Sequence, residues 1–140
     1  MDTKFSVAVH VLILTSESPV PMNSDQIAES VGTNASYVRK ILALLKKAGI
    51  VNGRQGVGSY SLNAAPEQLT LLRIYQAVSE QNEPHILDIH RNSSDQCIVG
   101  RHIAPVLSDL FTEAEQALAH SLAEKTLADC IAGIQQRLHS

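Results

Sequence analysis

Tryptophan is absent from this chain of 140 residues, aromatic residues make up only 4% of it, and it holds just two cysteines. So few aromatics beside 44% apolar residues speak against a β-sandwich or a disordered tail and for an aliphatic, mostly helical core. Cys97 and Cys130 have neither the spacing of a metal-binding pair nor the density of a disulfide framework, so both are expected as thiols in a reducing compartment. Long hydrophobic runs are missing too. The longest, VAVHVLIL, is too short to span a bilayer and contains His10, which predicts no membrane contact. No basic, apolar leader opens the chain, and the expected location is the cytoplasm. The length suits one domain, or a small domain with an extension, rather than a second large enzymatic unit.

Charge is low, with a net of −3, but it is unevenly placed. Residues 24 to 62 carry Arg39, Lys40, Lys46, Lys47 and Arg54 against Asp25 and Glu29, a local +3 that leaves −6 elsewhere. A basic segment in an acidic chain suits one face for an anionic ligand on a solvated, self-associating body.

Hydrophobic spacing organises the first half. Phe5, Ala8, Val9, Leu12 and Ile13 predict a helix over residues 3 to 14, ended by SESPVP. Ser24 is the expected cap of a short helix with Ile27, Ala28 and Val31 inward, and Gly32 suits its left-handed end. Asn34 or Thr33 caps the next helix, where Val38, Ile41, Leu42 and Leu45 form one apolar stripe. Ser36, Arg39, Lys40, Ala43 and Lys47 then face outward, and Gly49 stops the helix.

The stretch NGRQGVGSYSL, residues 52 to 62, has glycines but no strand, lysine and helix in the order of a phosphate-binding loop. It reads as a hairpin, with Ile50 and Val51 in one strand and Tyr60 and Leu62 in the other. The expected fold is therefore mainly α with a small β-wing: a winged helix-turn-helix followed by a long C-terminal dimerisation helix. The third helix fits a major groove about 12 Å wide, and the ribbon would meet flanking backbone or minor groove. Arg39, Lys40 and Arg54 are the candidate cationic contacts. Tyr37 either supports a phosphate contact or packs, and Lys46 and Lys47 either reach DNA or complement the helix dipole.

Three segments are expected: a DNA-binding domain at 1–65, a connecting helix and sensor loop at 66–98, and a dimerisation helix with a C-terminal helix at 99–140. In the last, Ile103, Leu107, Leu110, Ala114 and Ala117 keep a near-heptad seam, widened by Val106, Phe111 and Leu118, and Val106 joins the first five as the expected dimer interface. Pro105 lies in the first turn or kinks the helix. The polar loop before it holds His85, His90, Cys97 and His102, with Cys97 near the helix N-terminus and Arg101 and His102 one turn on, which favours thiolate. Cys130, near Leu127 and Ile131, reads as a buried small side chain. His10 reads as a tolerated helical residue, and His120 and His139 as exposed. A Cys97–His102 nucleophile and base pair would make an enzyme, but no acidic orienter, oxyanion segment or cofactor fingerprint accompanies it.

With YVRKILALLKKAGIV in the third helix, GRQGVGSYSL in the ribbon, LTLLRIYQAVSE after it and TLADC near the end, the chain resembles the Rrf-two family of bacterial transcription regulators. The resemblance implies a homodimer on a pseudo-palindromic double-stranded operator, with Ser36, Tyr37, Arg39, Lys40 and Arg54 at family DNA-contact positions. The wing departs from the family pattern at Arg54, Gln55, Gly58 and Ser59. Iron-sulfur members use three cysteines and a further ligand in the loop that here holds Cys97 alone, so no cluster, other cofactor or metal is expected. QCIVGRHI and AEQALAHSLAEKTLADC look like the cluster-free branch, in which a lone cysteine senses oxidants or electrophiles. A repressor controlled by oxidation of Cys97 is the leading expectation, and control by a small-molecule effector is the alternative.

Overall fold

The computed structural model describes residues 2–53 and 60–139. Six helices and one antiparallel ribbon run in the order α1 (Lys4–Glu17), α2 (Ser24–Val31), α3 (Ala35–Lys47), β1 (Val51–Gly53), β2 (Tyr60–Leu62), α4 (Leu71–Ser79), α5 (Ile98–Ala123) and α6 (Leu127–Leu138). No described helix is long and apolar enough to cross a membrane.

Local chemistry sets each boundary. Helix α1 runs three residues past its expected end, because nothing in the polar run opposes it until Pro19 forces Ser18 into extended backbone. The cap of α2 is Asn23, not the expected Ser24. Asn23 Oδ1 accepts the Gln26 N–H at 2.9 Å, and Gln26 Oε1 accepts the Asn23 N–H at 3.0 Å, a reciprocal box that leaves Ser24 as the first helical residue. Gly32 closes α2 in the left-handed region at φ 87°. Asn34, rather than Thr33, caps α3 by accepting the Tyr37 N–H at 2.8 Å. Gly49 ends that helix at φ 76°. Ile50 lies just before β1 rather than in it, and the ribbon pairs Val51 with Leu62, Asn52 with Ser61 and Gly53 with Tyr60.

Two apolar clusters meet across α1. Ala8 and Leu12 face Ile41, Leu45, Ile50, Val51, Leu69, Ile74, Val78, Leu127 and Ile131. Val11 faces Ile27, Ala28, Val38 and Leu42. All four stripe residues of α3 are thus buried, at about 1.5–3 kcal/mol for each large side chain. Capped at one end and pinned by this stripe, α3 has its direction fixed by the core.

The C-terminal helix returns to this core. Thr126 and Asp129 form a capping box for α6, Thr70 pairs with Thr126, and Leu127 donates its N–H to the Leu69 carbonyl at 2.8 Å. Leu127 and Ile131 thereby share a core with α1, α3 and α4, while the other helix of the expected third segment, α5, runs outside it. Pro105 falls inside α5, past the first turn, so the Arg101 carbonyl lacks its usual i+4 donor.

Candidate nucleic-acid interface and sensor loop

The outward face of α3 holds Ser36, Arg39 and Lys40, all exposed. Among the described residues Arg39 and Lys40 have no ion pair and no side-chain hydrogen bond, which leaves both cations to an external anion. Tyr37 is half-buried and packs against the larger core cluster, so its ring supports α3 from behind. Arg54, expected on the wing, and residues 55 to 59 lie outside the described residues.

A shallow groove separates α3 from the ribbon, lined by Arg39, Ala43, Lys46, Gly53 and Tyr60. Lys46 bridges it, its Nζ donating to the Gly53 carbonyl at 2.7 Å. Tyr60 lays its ring where a Cβ on Gly53 would stand, so this glycine serves close packing as well as turning. Sequence reasoning placed Gly53 at a hairpin but could not see the ring against it.

Cys97 is the N-cap of α5 and is exposed. The backbone N–H of Gly100, then that of Val99, holds its thiol below the ordinary value by favouring the thiolate. Arg101 is not the cause: its Nε donates to the Asp95 carbonyl at 3.1 Å. Residues 93 to 95 fold back over the first turn of α5, where Ser93 Oγ donates to the Gly100 carbonyl at 2.9 Å. A Cβ on Gly100 would collide with the Ser94 carbonyl oxygen. Cys130 differs from Cys97 in every respect: half-buried in α6, its thiol is pushed up by burial and then by the Asp129 charge.

The histidines do not converge. His85 lies beside Asp88 and Glu115, His90 and His102 are exposed, and His10 pairs with Ser30 Oγ at 3.1 Å between α1 and α2. Among the described residues no group of three or more His, Cys, Asp or Glu is arranged to hold a metal ion. A cavity of about 390 Å³ opens between α1, α4 and residues 81 to 86, walled by Phe5, Tyr75, Val78, His85 and Ile86.

On the expected dimer helix, Val106 and Leu110 are 53% and 56% exposed, and Ala114 and Ala117 are exposed beside them. Ile103 and Leu107 are half-buried, on the side that continues through Phe111 to Glu115 and Ala119. Helix α5 therefore carries two adjoining apolar sectors, one half-buried to buried and one exposed. Glu115 had escaped notice in the sequence, where an acid in a helix reads as a solvated position. It is the only buried charged residue described, at 8% exposure. The Leu87 N–H, above all, keeps its carboxyl below the usual range against the opposing effect of burial.

The family model Rrf2, described as iron-dependent transcriptional regulator, matches residues 1–133. YwnA of Bacillus subtilis, provisionally named an HTH-type transcriptional regulator, is 37% identical over 129 residues, covering 92% of this chain and 95% of YwnA. A crystal structure from Lactobacillus plantarum, provisionally described as a transcriptional regulator, superposes with a TM-score of 0.80 at 27% identity, over 96% of this chain and 91% of that one. The global cysteine regulator CymR of B. subtilis, at 19% identity and a TM-score of 0.67 over 94% and 95% of the two chains, shares the fold.

Proposed function

This chain belongs to the Rrf2 family of transcriptional regulators, which are not enzymes, and from that premise we propose that it is a homodimeric, cytoplasmic repressor of operator DNA whose binding is set by oxidation of Cys97. One observation carries the DNA-binding surface: Ser36, Arg39 and Lys40 stand exposed on a core-anchored helix beside a ribbon, the two cations without an ion pair or side-chain hydrogen bond among the described residues. Each α3 enters a major groove, and Arg54 on the wing reaches the flanking backbone. Repression follows from occupancy of the operator.

The uncovered sector of α5 supports the dimer. Val106, Leu110, Ala114 and Ala117 recur at helical spacing, and a second copy of the same stripe, related by a two-fold axis, would cover it. A pseudo-palindromic operator matches that symmetry.

The thiol switch rests on an exposed Cys97 whose helix-terminal amides favour thiolate. Hypochlorite transfers oxygen to the thiolate, giving sulfenic acid and chloride. A second thiol then displaces the hydroxyl as water and leaves a disulfide. Either product alters the start of the helix through which the two copies meet.

A gel-shift titration on DNA upstream of the protein's own gene tests the reading, with wild type and Cys97→Ser, before and after mild hypochlorite or diamide. Binding by both, with a reversible change on oxidation in wild type only, supports it. Identical behaviour of the two proteins under every condition removes the thiol switch and leaves the DNA reading. The cavity beside Phe5 and Tyr75 favours a second form of control, by a small, largely apolar effector.

A further inference from the structure

Helix α5 is fastened to the winged head near its C-terminal end, where the Thr70–Thr126 bridge and the Leu127–Leu69 hydrogen bond hold the turn that follows it. One fixed end leaves a helix free to pivot. A second attachment, about 12 Å up the helix at 1.5 Å per residue from Ala123, is made by Glu115.

Its Oε2 accepts the N–H of Ile86 at 2.6 Å and that of Leu87 at 3.0 Å, across 29 and 28 residues of sequence. His85 Nδ1 lies 3.6 Å from the same oxygen, and His85 Nε2 lies 3.5 Å from Asp88 Oδ1. The linker between α4 and α5 has no helix or strand of its own, so it has no backbone ladder to hold its shape. Its other end is rooted in the head, because Ile74 and Val78 of α4 are buried in the main core. The carboxylate thus joins the chain leaving the head to the middle of α5. Ala119 is buried and Leu118 and Phe111 are half-buried on the same helix, but apolar burial is non-directional. The paired hydrogen bonds carry direction.

We propose that Glu115 is a latch that fixes the angle between each winged head and α5, and with it the separation of the two α3 helices in the dimer. Glu115 is a positioning residue and touches no DNA. The inference rests on the dimeric operator-binding reading above. With the latch closed, the two heads meet grooves at one half-site spacing. With it open, each head turns about the Thr70–Thr126 bridge and accepts several spacings.

One oxygen takes both hydrogen bonds, so Glu115→Gln keeps an acceptor in place, whereas Glu115→Met keeps the volume and loses the acceptor. Amide hydrogen exchange reads the latch without DNA: Ile86 and Leu87 are expected to be protected in wild type and Glu115→Gln and to exchange freely in Glu115→Met. The role is read on operators whose half-sites are moved apart or together by one base pair. Wild type and Glu115→Gln are expected to discriminate against them by about tenfold, and Glu115→Met by about twofold or less, while affinity for a single half-site stays unchanged. Unprotected Ile86 and Leu87 amides in wild type, or continued protection in Glu115→Met, would overturn the latch. Loss of protection with unchanged spacing preference would overturn its role in placing the heads. A wild-type protein that binds no operator would sink the regulator reading instead, while the exchange measurement still decides the latch.

Discussion

Lys46 and Gly53 join helix α3 to the ribbon: the ammonium on the last turn of α3 donates to the Gly53 carbonyl at 2.7 Å. The contact is exposed, so its net worth to folding is small, about 1 kcal/mol or less. Its geometric effect is larger, because the described ribbon pairs three residues with three and, among the described residues, no other charged side chain hydrogen-bonds across the groove. Lys46→Met is therefore expected to leave the urea midpoint nearly unchanged and to weaken operator binding several-fold. A fluorescence anisotropy titration beside a denaturation curve separates the two effects, and equal affinity for both proteins would show that the ribbon needs no such tie.

Among the described residues Arg39 and Lys40 have no ion pair or side-chain hydrogen bond to lose, so removing them should cost DNA binding and leave the fold intact. Each phosphate contact deleted lowers the slope of log K against log salt by about 0.9, and loss of a base contact by Arg39 costs about 1–3 kcal/mol. Arg39→Ala with Arg54→Ala should abolish specific binding with an unchanged far-UV circular dichroism spectrum. Wild-type affinity in that double variant would move the interface off this face.

Helix α3 was legible in the sequence because Val38, Ile41, Leu42 and Leu45 must all turn one way, and that direction alone exposes Arg39 and Lys40. Gly32 and Gly49 were legible because left-handed backbone at a helix end selects glycine. The cap of α2 was misplaced by one residue, since Asn23 and Ser24 are both competent caps and only the reach of Gln26 back to Asn23 decides between them. The seam on α5 was read as one stripe, and along it the exposure differs: Ile103 and Leu107 are half-buried, Val106 and Leu110 exposed. Glu115 was invisible, because its partners are backbone amides nearly thirty residues distant and no side-chain pattern marks them.

Cys97 and Cys130 should differ in reactivity in a direction set by their surroundings. The lowered Cys97 thiol is more ionised than an ordinary cysteine at any pH below its usual value, and the raised Cys130 thiol is less so. Since thiolate is the nucleophile, the alkylation rate of Cys97 should reach half its maximum at a lower pH than that of a free thiol, and Cys130 at a higher one. Gly100→Ala forces a methyl group against the Ser94 carbonyl and should move the Cys97 curve back toward ordinary. Mass-spectrometric iodoacetamide kinetics across pH measure both, and coincident curves for the two cysteines would remove the local basis of the thiol switch.

The exposed sector of α5 gives the most direct test of assembly. Val106 and Leu110 are more than half exposed, so an aspartate at both positions costs the folded monomer little, within about 0.5 kcal/mol for surface changes. In a two-fold pair each aspartate would instead face its counterpart or a neighbouring apolar side chain, desolvated and without a partner charge. Val106→Asp with Leu110→Asp should therefore keep its thermal midpoint at low concentration yet sediment as a monomer where wild type sediments as a dimer. Operator affinity should fall with it, because a lone head contacts a single half-site, while the salt slope drops toward half as the phosphate contacts are halved. A variant that still sediments as a dimer would place the interface elsewhere, and the apolar stripe on α5 would need a different occupant.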